Sequence, residues 1–65
     1  MKISYKAARI NAELSVPYVA KALNTTEATV RNYEQHRTKP KPEILKNLAD
    51  LYGCRIEDFK EVNGE

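Results

Sequence analysis

The chain has 65 residues, a formal net charge of +2 and a hydrophobic content of 42%, which is enough for one domain with one small core and too little for a deep catalytic cleft. Its single cysteine, Cys54, excludes an intramolecular disulfide, and with His36 as the only histidine no zinc-ligand spacing is present. Residues 1–10 contain no apolar run of signal-peptide length and no segment approaches the roughly 20 apolar residues of a membrane span, so we expect a cytoplasmic protein without membrane contact.

The first helix is predicted over about residues 5–13. Tyr5, Ala8, Arg9 and Ala12 recur at helical spacing and form one stripe. Because Arg9 is charged and lies on an otherwise apolar stripe, it requires a partner.

Two short helices follow, at about residues 16–23 and 27–35, and each has its own start signal. Ser15 and Thr26 are good N-caps, since a hydroxyl oxygen accepts a hydrogen bond from an amide one turn on. Asn24 lies between the helices and tolerates a positive φ better than most residues. This is the outline of a helix-turn-helix, although two consecutive helices of an ordinary small bundle give the same periodicity.

A fourth helix is predicted to begin at Pro42, because proline suits the first helical position. Gly53 is expected to end it as a C′ glycine. Its apolar stripe comprises Ile44, Leu45, Leu48, Leu51 and Tyr52.

A last turn, at about residues 56–59, offers Ile56 and Phe59 to the core, and residues 63–65 are expected to fray. No segment alternates like a strand. The sequence therefore predicts a single all-α domain over residues 1–65, a compact bundle of four to five short helices.

Charge is unevenly distributed. Residues 1–9 carry three cations and no acid, residues 31–41 carry four cations against Glu34, and residues 57–65 carry four acids against Lys60. One face is thus expected to be basic and the tail acidic. A basic face is typical of nucleic-acid binders, but an ordinary solvated surface has the same charge distribution.

The ordered set of residues from Ala8 to Phe59 resembles the Cro/C1-type helix-turn-helix family of phage repressors and related bacterial regulators. The resemblance implies a lambda-repressor-like domain, with its motif at about residues 15–35, that binds double-stranded DNA sequence-specifically and regulates transcription, as a repressor. The residues that carry it are Arg9, Leu14, Ser15, Val19, Ala20, Leu23, Asn24, Thr25, Thr26, Val30, Tyr33, Glu34, Arg37, Lys39, Pro40, Leu45, Leu48, Ala49, Leu51, Tyr52, Gly53, Ile56 and Phe59.

In this family the second helix of the motif enters the major groove, which implies that Glu27, Ala28, Arg31 and Asn32 face the bases here. Arg31 suits guanine O6 and N7, Asn32 suits adenine N6 and N7, Glu27 suits cytosine N4 and Ala28 a thymine methyl. Alternatively, Glu27 and Arg31 form an i,i+4 surface ion pair.

The same resemblance implies phosphate contacts from hydroxyls, an amide and two cations around the motif. Capping is the stronger role for Thr26, while Tyr18 equally suits surface packing and Lys39 equally suits free solvent. The residues concerned are Tyr18, Thr26, Thr29, Gln35, Arg37 and Lys39.

The resemblance also implies that Arg9 pairs with Glu34 and joins the first helix to the reading helix. The chain departs from the family at Val16-Pro17, where a glutamine that contacts phosphate is common, and at His36, which must take a left-handed conformation where glycine is common. Cys54 is expected to be a buried, inert thiol.

We expect a homodimer on a two-fold symmetric operator, paired near Arg55, Ile56, Phe59 and Val62, unless Ile56 and Phe59 only close the core of one monomer. Neither an enzyme, a metal site nor a cofactor is expected, because no constellation of reactive side chains is present. The competing hypothesis is an antitoxin or antirepressor-like module that uses the same fold to bind a protein partner.

Overall fold

A computed structural model describes residues 2–59. They form the helices α1 (Tyr5–Asn11), α2 (Val16–Ala22), α3 (Glu27–Glu34) and α4 (Pro42–Tyr52) and a 3₁₀ turn, Ile56–Asp58. The all-α prediction is confirmed. The predicted fraying of residues 63–65 and the pairing role of Val62 concern positions outside the described residues.

Three of the helices begin at a serine or threonine cap. The hydroxyl oxygens of Ser4, Ser15 and Thr26 accept hydrogen bonds from the amide three residues on, at 3.1, 3.2 and 3.2 Å. The caps predicted at Ser15 and Thr26 are therefore confirmed. Helix α4 begins instead with Pro42 at its first position, where the missing amide hydrogen leaves no gap in the helix.

Each of the four helices is followed, within two residues, by a residue with positive φ. These residues are Glu13 (60°), Asn24 (57°), His36 (62°) and Gly53 (73°). The amide that follows each of them donates to the carbonyl five residues earlier, at 2.9–3.1 Å, which is the Schellman pattern. The left-handed conformations predicted at Asn24, His36 and Gly53 are confirmed.

Glu13 was not expected to be left-handed, and the prediction of a first helix through residue 13 is wrong. Helix α1 ends at Asn11 because Ala12 caps it and Glu13 reverses the chain. Helices α2 and α3 likewise end one residue earlier than predicted, since Leu23 and Gln35 are C-caps.

The core is small and apolar. Val19, Val30 and Leu48 are its largest fully buried side chains. The other buried hydrophobic residues are Tyr5, Ala8, Ala20, Ala49, Tyr52 and Phe59.

The last turn contributes only one of its two predicted core residues. Phe59 packs edge-on against Tyr5 and Tyr52, with ring centroids 4.9 and 6.4 Å apart. Ile56 is 43% exposed, so its predicted place in the core is wrong. The 3₁₀ turn is only three residues long, and it leaves Ile56 in solvent at its first position. Cys54 is half-buried rather than buried, and burial raises the pKa of its thiol, which favours the unreactive protonated form.

The N-terminal residues lie against the last turn. Ile3 forms a parallel bridge with Phe59, and its amide donates to the carbonyl of Asp58 at 2.8 Å. The ammonium of Lys2 donates to the carbonyl of Glu57 at 2.5 Å. Within the described part of the chain this bridge is the only β pairing, and nothing in the sequence predicted it.

Candidate nucleic-acid interface

Helix α3 has one side in the core and one side in solvent. Val30 is 1% exposed and Tyr33 packs against the core. Glu27, Ala28 and Arg31 are exposed, whereas Asn32 is half-buried. The side chains expected at the bases thus lie on the face of α3 turned away from the core, with Asn32 at its edge.

Glu27 and Arg31 meet on this exposed face. Nη2 of Arg31 donates to Oε1 of Glu27 at 3.3 Å, and the two side chains are 54% and 46% exposed, with Arg31 given first. The ion pair offered as an alternative to DNA contact is therefore present in the free protein. It brings one cation and one anion to the centre of the exposed face.

Two threonine hydroxyls lie at the start of α3. Thr26 Oγ1 accepts from the amide of Thr29 at 3.2 Å, and the two hydroxyl oxygens are 2.9 Å apart. Capping therefore occupies Thr26, as expected. Thr29 is half-buried.

The loop after α3 is polar, exposed and fixed to the helix it follows. The amide of Arg37 donates to the carbonyl of Asn32 at 2.9 Å, and Pro40 is buried. Gln35, Arg37 and Lys39 are exposed. Neither cation forms an ion pair with another residue of the part described, 2–59. The loop thus presents two free positive charges.

Tyr18 lies in the first turn of α2 and is 53% exposed. Its amide is occupied by the Ser15 cap, so only its phenol is available to a partner. An exposed tyrosine here fits either a hydrogen bond to phosphate or simple packing on the surface.

Helix α3 is held to α1 by the pair expected from the resemblance. Arg9 Nε donates to Glu34 Oε2 at 2.6 Å, and Arg9 Nη2 donates to Glu34 Oε1 at 3.3 Å. Arg9 Nη1 also donates to the carbonyl of Leu14 at 3.0 Å. The side chains are 13% and 8% exposed, so the pair is largely shielded from water. Its hydrogen bond to Glu34 raises the pKa of Arg9, which keeps the guanidinium charged.

The sequence did not predict that Tyr52 lies close to this pair. Burial, and next the charge of Glu34, raise the pKa of Tyr52 to about 12. Nor did it predict that the rings of Tyr5 and His36 lie 6.0 Å apart, which brings the start of α1 beside the loop after α3. Both contacts join residues that are distant in sequence, and no local pattern signals them.

Residues 2–59 contain no group of three or more His, Cys, Asp or Glu side chains arranged to hold a metal ion. No helix among them is long and apolar enough to cross a membrane.

The family model described as helix-turn-helix matches residues 6–59. No curated protein and no solved structure matches the chain.

Proposed function

The chain belongs to the Cro/C1-type helix-turn-helix family of DNA-binding regulators, and from this premise we propose that it is a sequence-specific transcriptional repressor that reads the major groove with α3. The observation that carries the proposal is the division of α3 into a buried side, with Val30, and an exposed polar side. A helix held in this way presents hydrogen-bonding groups to base edges without unfolding any of the core.

The base-reading residues in this proposal are Glu27, Ala28, Arg31 and Asn32. Arg31 donates to guanine O6 and N7, and Asn32 pairs with adenine N6 and N7. Glu27 accepts from cytosine N4, and Ala28 contacts a thymine methyl. The exposed position of the first three supports these roles directly, whereas Asn32 acts from the edge of the exposed face.

The phosphate contacts in this proposal surround α3. Arg37 and Lys39 supply free cations from the loop, and Gln35 supplies an amide. Tyr18, Thr26 and Thr29 supply hydroxyls. Thr26 is the least available of these because its oxygen already caps α3. Since the Thr26 and Thr29 hydroxyls also share one hydrogen bond, the two residues together offer one hydroxyl hydrogen to a phosphate.

We propose further that two copies bind a two-fold symmetric site, because a domain of this size has one reading helix and little contact area. The exposed Ile56, with Arg55 beside it, is the part of the expected pairing surface that this proposal retains. Phe59 is 5% exposed and belongs to the core of a single copy.

Selection of binding sites from a random duplex library tests sequence-specific recognition. The selected duplex is then compared with a scrambled duplex over a range of salt concentrations. Release of counterions from neutralised phosphates gives a steep fall of log K with log salt. A flat salt dependence and no enriched sequence would contradict the proposal and favour the module that binds a protein partner.

Sedimentation tests the dimer. A palindromic duplex, with half-site centres about 34 Å apart, should bind two copies at saturation, and a single half-site should bind one. An Ile56→Lys variant should weaken binding to the palindrome and leave binding to the half-site unchanged. A one-to-one complex on the saturated palindrome would contradict the dimer.

A further inference from the structure

The ion pair between Glu27 and Arg31 lies in the middle of the face proposed to read DNA. An exposed i,i+4 pair contributes little to the stability of a helix. Its effect on the fold is therefore small, and its position gives it a larger effect on what α3 binds.

We propose that the pair persists on DNA and acts as one reading unit, in which Glu27 keeps Arg31 at a guanine and itself selects a nearby base that presents an exocyclic amine in the major groove. The inference rests on the proposed function, since it concerns DNA in the major groove. It identifies a joint contact: Arg31 binds a guanine while, in the same half-site, Glu27 accepts from a cytosine N4 or an adenine N6.

The hydrogen-bonding groups of the pair allow both contacts at once. Guanidinium has five N–H donors, and the structure uses one nitrogen of Arg31, Nη2, for Glu27. Nε and Nη1 of Arg31 donate to no described residue, and Oε2 of Glu27 accepts from none. Nη2 has a second N–H, which forms a fork with an N–H of Nη1 or of Nε, so a fork of donors for guanine and one free acceptor, Oε2 of Glu27, remain.

The spacing places the two contacts close together on DNA. Four helical residues span about 6 Å, and stacked base pairs are about 3.4 Å apart. The base that Glu27 contacts is thus expected within about two base pairs of the guanine. Guanine O6 and N7 and thymine O4 are acceptors that repel a carboxylate, whereas cytosine N4 and adenine N6 donate to it.

The charge of Glu27 is expected to act on affinity and on specificity in opposite directions. A carboxylate at the groove repels the phosphates and weakens binding to every sequence, and it holds the Arg31 guanidinium away from those phosphates. Removing the charge should strengthen binding to unrelated DNA while it weakens discrimination among bases. A purely structural glutamate would not change the two quantities in opposite directions.

The test uses the full chain, the selected duplex, and duplexes substituted at each base pair of the half-site. Glu27→Gln removes the charge with little change in shape. Glu13→Gln is the matched control, because Glu13 is also exposed and the change in net charge is the same. Circular dichroism establishes equal helix content before binding is measured by fluorescence anisotropy.

For Glu27→Gln we expect unrelated DNA to bind about two- to fivefold more tightly and the ratio of specific to unrelated affinity to fall about tenfold. In an Arg31→Ala background, Glu27→Gln should leave the guanine position unaffected and still relax the neighbouring one. Glu13→Gln should leave the ratio unchanged.

Two failures are distinguishable. If wild-type protein prefers one sequence and Glu27→Gln retains the same ranking and ratio, this inference is overturned and the proposed function stands. If wild-type protein prefers no sequence, the proposed function is overturned and the inference with it.

Discussion

The guanidinium of Arg9 binds the carboxylate of Glu34 through two hydrogen bonds, 2.6 and 3.3 Å long, between α1 and the last residue of α3. A third bond from Arg9 reaches the carbonyl of Leu14, just after the turn that leads to α2. One side chain therefore connects α1, the approach to α2 and the end of α3. The orientation of α3 depends on this residue as well as on core packing.

Arg9→Met should lower the free energy of unfolding by about 2–4 kcal/mol, because it leaves the shielded Glu34 carboxylate without its partner. The double variant Arg9→Met/Glu34→Leu should lose less than this single variant, since it removes both charges. Urea unfolding measures the stabilities of wild type, Arg9→Met, Glu34→Leu and the double variant. Arg31→Ala breaks the exposed pair and serves as the control, with an expected loss below about 0.5 kcal/mol. A double variant with the summed loss of the two single variants would contradict the prediction.

Tyr52 should make stability fall in alkaline solution. Its pKa is raised from 10.0 to about 12 in the folded protein, so the folded state retains the phenolic proton more tightly than the unfolded state does. The corresponding stability, at most about 2–3 kcal/mol, is fully present below pH 10 and is lost between about pH 10 and 12. The measurement is the difference in unfolding free energy between wild type and Tyr52→Phe as a function of pH. A difference that stays constant across this range would show that the phenol does not contribute.

Glu13→Gly should stabilise the protein. Glu13 has a φ of 60°, where an L side chain costs about 1–2 kcal/mol and glycine does not. Glycine gains flexibility in the unfolded chain, so the expected net gain is about 0.5–1 kcal/mol, visible as a higher Tm. Glu13→Ala keeps the Cβ and should give no such gain; an equal gain in both variants would point to the lost charge instead.

Arg31→Ala should weaken specific binding by about 1–3 kcal/mol and relax the preference at one base pair, since a bidentate guanine contact carries that much discrimination. Binding to a panel of singly substituted duplexes measures this. Lys46→Ala, an exposed substitution on α4, controls for the change in net charge. If all duplexes are weakened equally, Arg31 contacts phosphate rather than a base.

Arg37→Ala and Lys39→Ala should weaken specific and unrelated DNA alike. Each removes one exposed cation from the loop after α3, so each should flatten the slope of log K against log salt by roughly one. Salt titrations on both duplexes measure the slopes, again with Lys46→Ala as the control. Unchanged slopes in both variants would show that this loop does not contact the DNA phosphates.

The features that sequence predicted well are those encoded by neighbouring residues. Ser15 and Thr26 mark helix starts, and Asn24 and Gly53 mark helix ends, because their backbone and side-chain chemistry acts within one turn. Arg9 and Glu34 are far apart in sequence, and only the family resemblance paired them.

The missed features depend on tertiary context. Glutamate has little intrinsic preference for a positive φ, so no local signal marks the left-handed turn at Glu13, two residues after the end of α1. Phe59 and Ile56 belong to one short turn with similar hydrophobicity, and only the contact with Tyr5 decides which is buried. The roles at DNA of Arg31 and the loop cations remain predictions.

The bridge between Ile3 and Phe59 has a consequence for synthesis on the ribosome. The ring of Phe59 fills the core against Tyr5, and the chain is made from the N-terminus at about 5–20 residues per second. Ile3 and Tyr5 therefore cannot form their native contacts with Phe59 until Phe59 has left the exit tunnel. Helices α1 to α3 emerge earlier but cannot complete this core, so its native packing is completed only after Phe59 has left the exit tunnel.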